Sequence, residues 1–160
     1  MTEIQSIPAF DLPATIAGHL SGPELRGHYT VFYFYPKDNT SGCTIEAQEF
    51  TALHQAFRKL DAEIIGVSRD SLRSHENFAQ KHKIPYPLVA DEKETLCRAF
   101  DVLREKSLYG RKYRGIDRST FLFDREGRLR ESWRSVHPRG HALAVFDCLK
   151  ACLKEDRPRA

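Results

Sequence analysis

Residues 29–35 read Tyr-Thr-Val-Phe-Tyr-Phe-Tyr, and Pro36 comes next. Every position is β-branched or aromatic and no polar residue alternates with the rest, which marks a strand covered on both faces. Strands of that kind sit in sheets with helices packed on each side. Pro36 ends the strand, because it has no N–H to continue the ladder.

Beyond Pro36 the chain alternates in the manner of a parallel α/β core. From Cys43 onward, Ala47, Phe50, Leu53, Phe57 and Leu60 recur at spacings of three and four, predicting an amphipathic helix of about 16 residues. A strand at 63–68, a helix at 71–83 and a short strand at 87–90 come next, then a short helix at 92–101 with Leu96, Ala99 and Phe100 facing inward. Residues 119–124 predict a strand, Asp124-Arg-Glu-Gly127 a turn and 129–134 its antiparallel mate. After Pro138 and Gly140, the series Ala142, Val145, Phe146, Leu149, Cys152 and Leu153 predicts a closing helix. The expected fold is α/β and thioredoxin-like, with a central mixed β-sheet flanked by helices. One domain is expected over residues 1–160, with 156–160 as a frayed tail.

Hydrophobic residues make up 41% of the 160 and charged residues 29%, an ordinary balance for a globular domain of this size and not that of a disordered chain. The N-terminus lacks a basic segment followed by an apolar one, and no apolar run approaches the roughly 20 residues of a membrane span. A cytoplasmic protein without membrane contact is expected. The four cysteines, Cys43, Cys97, Cys148 and Cys152, contain no Cys-x2-Cys pair and suit neither a secreted disulfide framework nor a zinc site. The net charge of +3 includes Lys and Arg concentrated between 104 and 139. Tyr109, Tyr113 and Trp133 are interleaved there, so stacking on single-stranded nucleic acid is one reading. A solvated surface of strands and turns is the better one, since no nucleic-acid module accompanies the charge.

Chemistry concentrates at Cys43. It stands between the strand and the first predicted helix, where unpaired N–H groups and the positive end of the helix dipole favour a thiolate over a thiol of ordinary pKa about 8.5. The competing reading is a small buried hydrophobe. Other sites fall away: the sequence has no Gly-x-Gly-x-x-Gly or Gly-x4-Gly-Lys loop, no Gly-x-Ser-x-Gly elbow, and its seven histidines are scattered, with His137 and His141 separated by Pro138 and Gly140.

Around Cys43 the residues match a known pattern. Pro36, Thr40 and Cys43 satisfy Pro-x3-Thr-x2-Cys, within a longer match running from Tyr35 through Glu46. Gly115-Ile-Asp-Arg118-Ser-Thr-Phe121, Gly66-Val-Ser-Arg-Asp70, Glu105-Lys-Ser107 with Gly110, and Gly140-His-Ala142 extend it over nearly the whole chain. The chain resembles a peroxiredoxin of the bacterioferritin comigratory protein, or PrxQ, group. The resemblance implies a thiol-dependent peroxidase that reduces hydrogen peroxide and organic hydroperoxides through a sulfenic acid on Cys43. Thr40 and Arg118 would bind and activate the peroxide, Pro36 would shield the thiolate, and Glu46 would orient Arg118, although it could equally serve only the helix dipole. No cofactor is implied, since sulfur itself carries the electrons.

Two departures concern the second half of the cycle. Many members of the group place a resolving cysteine five residues after the nucleophile, where this chain has Gln48; others carry it in the helix after the Gly-Val-Ser segment, where this chain has none. A one-cysteine mechanism is therefore expected, with an external thiol such as thioredoxin, glutaredoxin or glutathione, in a monomer or weak homodimer. Cys97 stays open as an internal resolver against its reading as a packing residue. Cys148 and Cys152, one helical turn apart, read as core filling or as resolvers between subunits. A redox sensor using Cys43 oxidation, with turnover incidental, is the alternative of a different class.

Overall fold

In the computed structural model, which describes residues 3–157, the apolar run becomes the fully buried centre of a sheet. The elements in chain order are β1 (Asp11–Ala14), β2 (Gly18–Ser21), β3 (Tyr29–Phe34), α1 (Ser41–Lys59), β4 (Ala62–Ser68), α2 (Leu72–His82), β5 (Leu88–Ala90) and α3 (Thr95–Ala99). They continue with β6 (Leu103–Leu108), β7 (Arg111–Ile116), β8 (Ser119–Phe123), β9 (Leu129–Trp133) and α4 (His141–Glu155). A seven-stranded sheet has the order β2-β1-β5-β4-β3-β8-β9. β3, β4 and β5 are parallel, while β8 and β1 join antiparallel on either side. This is the expected α/β, thioredoxin-like arrangement of a mixed sheet flanked by helices.

Because successive side chains on a strand point to opposite faces, β3 feeds two cores. Tyr33 and Tyr35 join Ala47, Phe50 and Phe57 of α1, Phe78 of α2 and Val145 and Leu149 of α4 on one face. Phe32 and Phe34 meet Leu96, Cys97, Phe100, Phe121 and Phe123 on the other. Phe50 stacks on Tyr33 with ring centroids 4.7 Å apart, and the Tyr33 hydroxyl meets that of Tyr86, which donates to the Ala47 carbonyl. α1 is thus fixed to the sheet by apolar burial and by a satisfied polar link within it.

Several boundaries differ from the predicted ones. The first helix begins at Ser41, ahead of Cys43, with Thr40 as its N-cap. The helix expected over 92–101 shrinks to α3, because Glu94 takes a left-handed conformation and the Asp91 carboxylate accepts from the N–H groups of Leu96 and Cys97. Residues 103–116 form the hairpin β6–β7, closed by Tyr109 and Gly110, both at positive φ, as a type I′ turn requires. Nothing in the periodicity marks β1 and β2, which attach to the sheet edge where Ala14 pairs with Val89. Of the tail expected at 156–160, Asp156 is held by Tyr29 and Arg130, and residues 158–160 lie outside those described. No helix among the described residues is long and apolar enough to cross a membrane.

Candidate active site

Cys43 lies in the first turn of α1, directly beyond the carboxyl end of β3, the edge where open α/β sheets place their ligand sites. Strand register brings the second participant. β8 runs antiparallel to β3 with Ser119 opposite Phe34, so Arg118, one residue before β8, falls beside the loop that leads into α1.

Arg118 divides its guanidinium between two acceptors. Nη2 donates to Cys43 Sγ at 3.4 Å and Nη1 to Glu46 Oε1 at 2.7 Å. Cys43 is 1% exposed and Glu46 is fully buried, so the three groups share a space largely closed to water. Gly42 makes that approach possible: a Cβ on it would lie 3.1 Å from Arg118 Nη2 and 3.3 Å from Pro138 Cγ. Burial raises the Glu46 carboxyl to about 7, against the opposing pull of the Arg118 charge. For Arg118, burial works against the charge, but Glu46 and Cys43 outweigh it and hold the guanidinium above its ordinary value. The two partners point in different directions on the pair's net worth. The short Nη1–Oε1 contact joins the pair, and burial makes ionisation of Glu46 costly.

Thr40 is placed differently from the expectation. It is exposed, and its hydroxyl donates to the Lys37 carbonyl at 2.9 Å. It makes no capping bond to the helix, so the first-turn N–H groups beside Cys43 are left without a side-chain acceptor from the N-cap. A carbonyl only accepts, so the Thr40 hydrogen is committed there and its oxygen keeps acceptor capacity. Pro36 is half-buried in the same loop. Cys43, Arg118 and Glu46 are therefore in direct contact, while Thr40 and Pro36 flank them without a hydrogen bond to any of the three among the described residues.

The other thiols lie apart. Cys97 is buried in the core on the opposite face of the sheet from Cys43, and burial, reinforced by the Asp91 carboxylate, drives its thiol well above the ordinary range. Cys152 fills the α4 side of the core with Cys148 packed against it. Burial pushes Cys148 up to about 11, with Cys152 adding to the effect. Gln48 is exposed on α1.

Three arginines of the basic stretch at 104–139 are already engaged. Arg118 pairs with Glu46, Arg130 with Asp156, and Arg134 with Glu3 and the carbonyls of Phe100 and Asp101. Trp133 packs against the core and meets His141 edge-on, so it shares no stacking face with the exposed Tyr109 at the hairpin tip. Three contacts were not foreseen from the sequence: the approach of Arg118 over Gly42, the bond of the buried His141 to Thr120 Oγ1, and the buried Asp38–His75 pair in and under the loop. His141 and Asp38 lie inside the matched stretches, but their partners Thr120 and His75 are distant in sequence, so no local pattern reveals these contacts.

Comparison with known proteins gives the family. The AhpC/TSA family model matches residues 4–132. Peroxiredoxin Bcp of Xanthomonas campestris is 50% identical over 157 residues, covering 95% of this chain and 98% of the relative. Peroxiredoxin Bcp of Bacillus subtilis is 44% identical over 146 residues, covering 91% and 93%. Among solved structures is a Xanthomonas campestris bacterioferritin comigratory protein described for its alkyl peroxide reduction activity. It superposes with a TM-score of 0.85 at 48% identity, covering 89% of this chain and 91% of that one. On the matched fold and sequence, the chain belongs to the AhpC/TSA family, as a peroxiredoxin of the bacterioferritin comigratory protein, or PrxQ, group.

Proposed function

We propose that the protein is a single-domain, thiol-dependent peroxidase in which Cys43 reduces hydrogen peroxide and organic hydroperoxides. The observation that carries this reading is Arg118, held by Glu46 while it donates to the Cys43 sulfur. In the reaction the Cys43 thiolate attacks one peroxide oxygen. An S–O bond forms, the O–O bond breaks, and the departing alkoxide or hydroxide takes a proton to leave as alcohol or water. Negative charge moves from sulfur to the leaving oxygen, and a planar guanidinium with several donors can follow it. The uncapped N–H groups of the first turn add donors to the same spot. Thr40 Oγ1, with its own hydrogen engaged, serves as an acceptor that orients the peroxide O–H. Pro36 limits water at the thiolate.

The product is a sulfenic acid on Cys43, which an attacking thiol converts to a mixed disulfide with release of water. The positions of the remaining cysteines support a one-cysteine mechanism: Cys97 lies across the sheet, burial raises the Cys148 and Cys152 thiols, and Gln48 cannot resolve. A thioredoxin, glutaredoxin or glutathione then supplies the electrons. Peroxide consumption in the presence of such a reductant tests the reading, with Cys43→Ser expected to fall to the background rate. Consumption unchanged in that variant overturns it.

A further inference from the structure

The loop that presents Pro36, Thr40 and Cys43 rests on a buried polar cluster that the chemistry above does not use. Asp38, in the middle of that loop, has its side chain 1% exposed and that of His75 on α2 is fully buried. Each oxygen of Asp38 is occupied: Oδ1 accepts from the Tyr35 hydroxyl at 2.6 Å, and Oδ2 meets the Ser74 hydroxyl at 2.8 Å and His75 Nδ1 at 2.7 Å. The Asp38 N–H donates to Asp70 Oδ2, which also accepts from the Ser68 hydroxyl.

The acceptors around the ring fix where its hydrogen bonds lie. His75 Nε2 lies 2.9 Å from the Val89 carbonyl, which can only accept, so Nε2 carries a hydrogen. A second hydrogen must lie between Nδ1 and Asp38 Oδ2, because two lone pairs at 2.7 Å would repel. Tyr35 and Ser74 also donate to Asp38, so the carboxyl group and the ring belong to one closed hydrogen-bond network. Asp38, Asp70 and His75 could also be grouped as metal ligands, with atoms within 4.8 Å of one another. The hydrogen-bond donors on both carboxylates and the proton between His75 and Asp38 already meet that charge.

We infer that His75 is a positioning residue for the peroxide reaction, fixing Asp38 and through it the loop that carries Thr40 and Pro36 and opens α1 at Cys43. The inference rests on the peroxidase reading. Asp38 ties that loop to Tyr35 directly after β3, to Asp70 just beyond β4, and to α2 through Ser74 and His75. His75 in turn reaches β5 through Val89. Losing either side chain leaves the buried polar atoms of the other without their hydrogen-bond partner. Either change lets the loop shift, and a displacement of about 1 Å at a reacting centre can cost about 100-fold in rate.

The test compares wild type, Asp38→Asn, His75→Gln and the double variant, at a temperature well below unfolding. Two rates are read for Cys43, its reaction with hydrogen peroxide and its alkylation by iodoacetamide, which needs no peroxide-binding geometry. Each single variant is expected to slow the peroxide reaction by about tenfold or more while alkylation changes by less than about threefold. The double variant is expected to lose less than the two single losses combined, since both changes break the same link. Unchanged peroxide rates in the folded single variants, equal losses in both reactions, or losses that add in the double variant each overturn the inference. If a single variant fails to fold, Ser74→Ala takes its place, with a selective peroxide loss of about threefold expected and no change contradicting it. Failure of wild type itself to consume peroxide through Cys43 would instead overturn the peroxidase reading.

Discussion

Arg118 touches Cys43 and Glu46 with different nitrogens of one rigid plane, a task a lysine ammonium cannot share in the same way. Arg118→Lys is expected to lower the rate constant of Cys43 with peroxide by about 100-fold, measured by stopped-flow mixing. Gly42→Ala should act through the same group, since the added methyl meets a guanidinium already held at both ends. The expected result is a slower peroxide reaction with little change in urea midpoint. Glu46 carries a pH signature. Its carboxyl rises from 4.5 to about 7 because it is buried, so its stabilising contribution is complete below pH 4.5 and lost as pH rises through 7. Relative to wild type, Glu46→Gln should gain on the order of 3 kcal/mol between pH 4.5 and pH 8, read from urea titrations at both. At this scale the meeting of Cys43, Arg118 and Glu46 was legible through the motif around Cys43 and the resemblance that supplied Arg118. The direction of the Thr40 hydroxyl was not, because it depends on where the Lys37 carbonyl turns.

The elements bring these groups together by simple means. β3 ends at Phe34, α1 starts at Ser41, and antiparallel β8 returns Arg118 to the same edge. The strand and helix periods were enough to locate β3, β4, α1, α2 and α4, whose cores are dense in apolar residues. β6 and β7 escaped because their faces are largely exposed and charged, leaving no apolar alternation to read. α3 was overextended because the side chain that starts it, Asp91, lies before the expected helix. α4 begins with His141, which burial, and secondarily the Arg118 charge, lowers from 6.5 to about 4. This neutral ring contributes stability that is present above pH 6.5 and lost as pH falls through 4. His141→Gln should therefore gain on wild type by up to about 3 kcal/mol between pH 7 and pH 4, the opposite pH trend to Glu46→Gln. Equal pH dependence of wild type and variant in urea titrations would show that the buried ring does not set acid sensitivity.

Across the whole molecule, the sheet separates Cys43 from Cys97. It places Cys43 with α1 and α4 on one face and Cys97 with α3 on the other, so a disulfide between them would require the core to open. The proposed division of labour, with oxidation at Cys43 and reduction by an external thiol, rests on that separation. It is tested most directly by treating the reduced protein with one equivalent of hydrogen peroxide, adding a dimedone-type trap and mapping every cysteine by mass spectrometry. The expected result is a sulfenic acid adduct on Cys43 with Cys97, Cys148 and Cys152 still reduced. An intramolecular disulfide between Cys43 and Cys97, or a trapped sulfenic acid at another cysteine with Cys43 unmodified, would contradict it.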